Sequence, residues 1–362
     1  MEQQSLLSSE EEWQILHTFY HHVANYASAA HETKPREINE LYTRVNYLRN
    51  MATKHLSTTI NQYPSMLSEV DIVLPYCGED VTWLLDMLNT TNSQEVIRDR
   101  IIQSSVSLWI YNKCPDRVAA TRSAEGLRER LLHVLKDVTV IPSYDWIRGD
   151  ECTGYLHFLT QQYDHYARWT LFIHPDSPEH MPKVNIIMDV MKWAATGLLE
   201  ALHPRLRFAH LSHNFLSPFW ARADRYRTAF KELYSDVMNI QLRMAPEAAE
   251  LSTYCCTQLL VRDDALRVRS FDYYERLYNR TNSVEIYKVI TRPFEVISND
   301  DIKSRLPCQL MMPLWQVIFG NSDDMSTVER PLDPNMPLFL KTANLDGDWV
   351  NAILAKNMIH HE

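Results

Sequence analysis

The chain has 362 residues, is 45% hydrophobic and 23% charged, and carries a formal net charge of −10, a globular composition far from the highly charged, weakly hydrophobic regime of disorder. Its acidity argues against sequence-independent nucleic-acid binding, in which Lys and Arg must neutralise phosphates, and no nucleic-acid partner is expected. Only 7 residues are glycine, and neither GxxxxGK[ST] nor GxGxxG occurs, nor GxSxG or HExxH, so the common nucleotide-loop, hydrolase and zinc-protease signatures are excluded.

Glu2, Glu10, Glu11 and Glu12 make the first dozen residues acidic, with no apolar core that would read as a secretory signal. The longest apolar run, residues 310–319, falls short of the ~18 residues of a membrane span. A soluble, cytoplasmic protein with no membrane span is expected. The six cysteines show no CxxC spacing and read as reduced and mostly buried, adjacent Cys255 and Cys256 included. Asn89 and Asn279 open N-x-T triplets, which matter only in a chain that meets the glycosylation machinery.

Ser9 and Glu12 form a capping box, followed by apolar residues at Trp13, Leu16, Tyr20 and Val23. After Pro35, Ile38, Leu41, Val45, Leu48 and Ala52 recur at spacings of three and four. Residues 10–62 thus read as a helical hairpin with one apolar stripe per helix, a surface for packing or for docking a partner. The period changes at Val70. Residues 70–74 read as a strand, and Trp83, Leu84, Met87 and Leu88 as a helix. Strands follow at 106–111, 138–141 and 169–173, with helices at 127–135 and 155–163 between them. Such alternation predicts βαβ units and a mostly parallel sheet. After Pro182 the chain reads as helical; a helix begins at Ser217-Pro218, a strand covers 257–261, and a helix runs through Tyr273, Tyr274 and Leu277. The division expected is a helical hairpin over 1–68, an α/β domain over 69–325 and a C-terminal extension over 326–362.

In a parallel sheet, ligands bind beyond the carboxyl ends of the strands. Those ends bring Tyr76, Glu79 and Asp80, then Lys113, then Glu151, then His174 and Asp176. A lysine and several carboxylates at one sheet edge suit a phosphorylated or nucleotide ligand with a hard divalent cation, which prefers oxygen ligands. Two plainer uses stand beside this one: Asp80 capping the next helix, and Asp176 closing a turn before Pro178.

The segment RGDECTGYLHFLTQQYDHYARWTLFIHPD resembles the central motif of an uncharacterised glycosyltransferase-like family, through Gly149, Glu151, Tyr155, Leu156, Tyr163, Asp164, Phe172 and Asp176. DIVLPYCGEDVTWL, LWIYNKC, TQLLVRDDALRVRSFDYYERL and LWQVIFG resemble its other blocks, in order, over residues 69–320. The resemblance implies a GT-A-like fold, in which a Rossmann-like half holds a nucleotide sugar and an acid after a strand holds Mn²⁺ or Mg²⁺ on the diphosphate. Asp176, with His174, takes the metal position. Tyr76, Glu79, Asp80 and Lys113 line the donor side, Glu151 is the catalytic candidate, and an unknown acceptor lies near Gln258 and Trp315. The chain departs from the family pattern at Ile147, Asp150 and Thr153, at His174-Pro175 and at Met312-Pro313. Those departures keep a second expectation open, a catalytically degenerate member that acts by binding.

Two decoys are set aside. Asp346-Gly347-Asp348 is a literal DxD triplet in a turn-rich context outside the sheet, and His157, His165, His174 and His180 have spacings that fit no zinc pattern.

Overall fold

The computed structural model describes residues 67–89, 96–144, 151–180, 185–195, 197, 199, 206–211, 215–216, 253–254, 257–283, 308 and 311–319. The expected N-terminal hairpin, the helix beginning at Ser217-Pro218 and the Asp346-Gly347-Asp348 triplet lie outside the described residues, as do most of the domain limits expected from sequence.

The chain enters the sheet at β1 (Val70–Tyr76) and continues through α1 (Thr82–Asn89), α2 (Val96–Ser105), β2 (Val106–Asn112), α3 (Val118–Leu131) and β3 (Asp137–Pro142). It then forms α4 (Cys152–Gln161), β4 (Trp169–Phe172), the one-turn α5 (Ser177–His180), α6 (Asn185–Ala195) and β5 (Phe208–His210). A two-residue pair follows, β6 (Phe215–Leu216) with β7 (Thr253–Tyr254), then β8 (Leu259–Arg262), α7 (Asp263–Leu266) and α8 (Phe271–Thr281). A 3₁₀ turn at Met312–Leu314 leads into α9 (Trp315–Ile318).

The sheet has six strands in the order β3-β2-β1-β4-β8-β5. β1 pairs in parallel with both β2 and β4, and β2 with β3. β8 runs antiparallel to both β4 and β5. This is the mixed α/β, mostly parallel architecture expected from the alternating pattern, with one strand reversed. β1 is buried along its whole length, as a central strand covered on both faces must be. Ile72 and Leu74 face a core made with α1, α3 and α6. Val73 faces a second core with α4, α8 and α9, centred on Tyr155, Phe158, Phe172 and Trp315.

Asp71, on the second face of β1, accepts from Trp109 Nε1 at 2.8 Å and from the Ala167 amide at 3.3 Å. Burial outweighs these two bonds and pushes its carboxyl up to about 6. It sits at the amino end of the strand, away from the edge where ligands bind, and it ties β1 to β2 and to the entry of β4. Ser270 caps α8 by accepting from the Tyr273 amide at 3.3 Å, with Asp272 in the first turn and Arg280 in the last, both favourable to the helix dipole.

Candidate functional site

From β1 the chain moves outward to β2 and β3 and then returns to the opposite side of β1 to form β4. The strand order reverses between β1 and β4, which is the switch point where open α/β sheets bind ligands, at the carboxyl edge. Tyr76 ends β1, Lys113 follows β2 by one residue, and His174 follows β4 by two. Because β8 is antiparallel, its beginning lies at the same edge. Phe172 pairs with Leu259, so Gln258 is carried to the end of β4.

His174 is buried at this edge. Its Nδ1 faces the Asp176 carboxylate and its Nε2 lies 2.5 Å from Gln258 Nε2. An amide N–H only donates, so Gln258 Nε2 donates to an unprotonated His174 Nε2, leaving the Nδ1 proton for Asp176. Ser177 closes the turn: its amide and hydroxyl donate to His174 O at 3.0 and 2.6 Å, and its Oγ accepts from the His174 amide at 3.2 Å. Trp83 Nε1 donates to Pro175 O at 2.6 Å and thereby ties the turn after β4 to the helix after β1, across the switch point. Asp176 keeps 54% of its side chain exposed, while Gln258 Oε1 is buried without a hydrogen-bond partner.

A second polar group lies where α4 begins. Lys113 is buried, donates to Thr153 Oγ1, and its amide donates to Tyr76 O at 2.8 Å. Thr257 Oγ1 donates to Glu151 Oε1. Thr257 has φ 42°, a conformation a β-branched residue rarely adopts and one that costs about 1–3 kcal/mol. The strain falls between the Glu151 bond and Gln258, the residue that contacts His174. Burial, and then the Glu151 charge, holds the Tyr155 hydroxyl well above its ordinary value, keeping it neutral.

The remaining residues expected on the donor side have local partners. Tyr76 OH is 2.5 Å from Ser123 Oγ. The Cys77 amide donates to Glu79 at 2.5 Å. Asp80 accepts from the Thr82 amide at 2.9 Å and its hydroxyl at 2.6 Å, which lowers its carboxyl below the ordinary value. Asp80 therefore takes up its helix-capping role. Trp315, expected near the acceptor, is fully buried and packs edge-on against Tyr155 at 5.8 Å between ring centroids. His157 stacks on Tyr278 at 5.3 Å and contacts Ser143 Oγ at 3.1 Å, a packing role.

The cysteines depart from expectation. Cys77 is bonded to Cys114 and Cys152 to Cys308, with Cα–Cα distances of 5.1 and 5.2 Å, within the ordinary range. All four described cysteines are in disulfides, so the reduced reading is corrected for them; Cys255 and Cys256 lie outside the described residues. Pairings separated by 37 and 156 residues leave no spacing motif. Only the fold, which places the ends of β1 and β2 side by side, brings the first pair together. Both crosslinks flank the edge described above: Cys114 follows Lys113, and Cys152 sits between Glu151 and Thr153.

Among the described residues no three His, Cys, Asp or Glu side chains converge on one point. The carboxylate cluster expected from Glu79, Asp80, Glu151 and Asp176 is not assembled there; the pair His174–Asp176 is. With both His174 ring nitrogens engaged, Asp176 is the one cation ligand that this pair offers, and it suits a cation such as Mg²⁺ that takes most of its shell from water and a ligand's phosphates.

Residues 107–331, more than half of the chain, match a family described as a protein of unknown function, DUF3431. The chain belongs to the DUF3431 family. The match begins within β2, so the family segment covers Lys113, Glu151, His174, Asp176 and Gln258, while β1 precedes it. No curated protein and no solved structure matches the chain.

Sequence reasoning found Lys113, Glu151, His174 and Asp176 through their places at strand ends. It missed the roles of Thr153, Thr257 and Trp83. Hydroxyls and indoles carry no charge signal, and their parts depend on register and helix placement.

Proposed function

We propose that this DUF3431 chain is a GT-A-like transferase that binds a nucleotide sugar at the β1/β4 switch point and passes the sugar to a hydroxyl-bearing acceptor. The observation that carries the reading is the strand order, since a parallel β3-β2-β1 run is the mononucleotide-binding half of doubly wound folds and β4 on the other side of β1 creates the switch point. The resemblance of the central segment to glycosyltransferase-like sequences points the same way. In this reading Lys113 supplies a fixed positive charge toward the diphosphate, and Asp176, oriented by His174, holds the hydrated Mg²⁺ or Mn²⁺. That cation would neutralise charge on the departing nucleotide. Glu151, positioned by Thr257, accepts a proton or a hydroxyl hydrogen bond from the acceptor. Donor binding is tested by the thermal shift with uridine and guanosine diphosphate sugars, with and without Mn²⁺, since a ligand of the folded state raises its melting temperature. Transfer is tested by release of free nucleotide from the same donors. No shift with any donor at saturating concentration overturns the reading.

A second reading is a binding protein without turnover, and one contact favours it. Thr153 stands where the resembling family has a histidine, and it accepts from Lys113, tying that ammonium to the protein. A donor-induced shift without nucleotide release, with acceptor mixtures supplied, selects this reading.

A further inference from the structure

We infer that Asn279 is an N-glycan acceptor on a chain that folds in an oxidising compartment, an inference independent of the transferase reading. Every described cysteine is paired, and one pair, Cys152–Cys308, joins segments 156 residues apart through two fully buried side chains. Disulfides of this structural kind form and persist in secretory lumens, the periplasm and outside the cell, whereas the cytosol keeps thiols reduced. The crosslinks therefore argue against the cytoplasmic expectation, which was drawn from the acidic first dozen residues and the lack of an apolar run of membrane length.

In such a compartment the triplet Asn279-Arg280-Thr281 becomes chemically meaningful. Asn279 lies near the end of α8 and is exposed, while Tyr274, Leu277 and Thr281 form the buried side of that helix. A glycan on Asn279 thus projects outward and leaves the packing of α8 on α4 intact. In the folded protein the Thr281 hydroxyl donates to Leu277 O at 2.5 Å and Tyr278 O at 3.2 Å. The helix consumes the hydroxyl that the sequon needs, so transfer takes place before α8 forms. In that step the bond from the sugar's anomeric carbon to its lipid-diphosphate carrier breaks. A bond from that carbon to Asn279 Nδ2 forms, the amide loses one proton, and the lipid diphosphate leaves.

The test uses the full chain purified from its own cells into acid and an alkylating reagent, followed by peptide mapping without reductant. The peptides of Cys77 and Cys114, and of Cys152 and Cys308, are expected to travel as linked pairs. Peptide N-glycanase, an amidase that hydrolyses the Cγ–Nδ2 bond and releases the glycan as its glycosylamine, is expected in heavy-oxygen water to convert Asn279 to labelled aspartate. In the same cells Asn279→Gln is expected to remove the glycanase-sensitive mobility shift, and Thr281→Ser, which keeps the hydroxyl, to retain it. Quantitative alkylation of Cys152 and Cys308, an unmodified Asn279, or a label at Asn89 alone each overturns the inference.

Discussion

A Cβ placed on Gly154 would lie 2.9 Å from Pro75 Cγ and 3.0 Å from Pro75 Cβ. The first turn of α4 therefore rests directly on the last turn-ward residues of β1, and this contact sets how closely Glu151 and Thr153 approach the switch point. Gly154→Ala gains about 1 kcal/mol in helix propensity but forces a rigid ring and a helix apart, at about 1–3 kcal/mol. A net loss of roughly 1 kcal/mol is expected, read as a lower urea midpoint at unchanged slope.

The two crosslinks make unequal contributions. In the chain-entropy account, the bridge between Cys77 and Cys114 restrains the unfolded chain by about 4 kcal/mol and that between Cys152 and Cys308 by about 5 kcal/mol. Replacing Cys152 and Cys308 together with serine is expected to destabilise more than replacing Cys77 and Cys114, because the loop closed is longer and both side chains are fully buried. Denaturant midpoints of the two double variants, measured in the oxidised state, check the order; the reverse order refutes it.

Strand existence and order along the chain were legible because β1, β2, β3 and β4 are short apolar runs between polar turns. β5, with three residues, and α2, whose apolar residues Val96, Ile97, Ile101 and Ile102 are interrupted by charges, offered too little pattern. The reversal of β8 was not legible, since direction within a sheet depends on how the connection crosses and not on composition. The same holds for the site: charged residues at strand ends stood out, while the bonds between Thr257 and Glu151 and between Gln258 and His174 exist only through the register of that reversed strand.

Two buried groups give opposing pH dependences. Burial pushes His210 down to about 3 from 6.5, so it stays neutral in the fold. Its contribution is fully present above pH 6.5 and is lost as pH falls toward 3. Asp71 is raised from 3.8 to about 6, chiefly by burial. The folded state then binds the proton more tightly than the unfolded chain, so stability falls as pH rises from 3.8 to about 6 and is level above that. At about 1.4 kcal/mol per unit, the Asp71 effect is about 3 kcal/mol. Asp71→Asn removes this slope. The stability of the variant relative to wild type is expected to increase by about 2 kcal/mol between pH 4 and pH 6, as measured by urea unfolding at each pH. A difference that stays constant across the window refutes it.

Asp176 separates stability from ligand binding. Its carboxylate pairs with His174 Nδ1, yet half of the side chain meets solvent, and exposed pairs contribute about 0–1 kcal/mol. Asp176→Asn keeps the shape and an acceptor oxygen for the His174 N–H, so the unliganded melting temperature is expected to move little. The carboxylate charge is lost, and with it the group that holds a hydrated divalent cation against a diphosphate. The Mn²⁺-dependent part of the nucleotide-sugar thermal shift is therefore expected to vanish in the variant, while any Mn²⁺-independent part, carried by Lys113, persists. Lys113→Met is expected to show the converse, losing the metal-independent part. If Asp176→Asn retains the full Mn²⁺-dependent shift, the cation is held elsewhere and the role assigned to the His174–Asp176 pair fails.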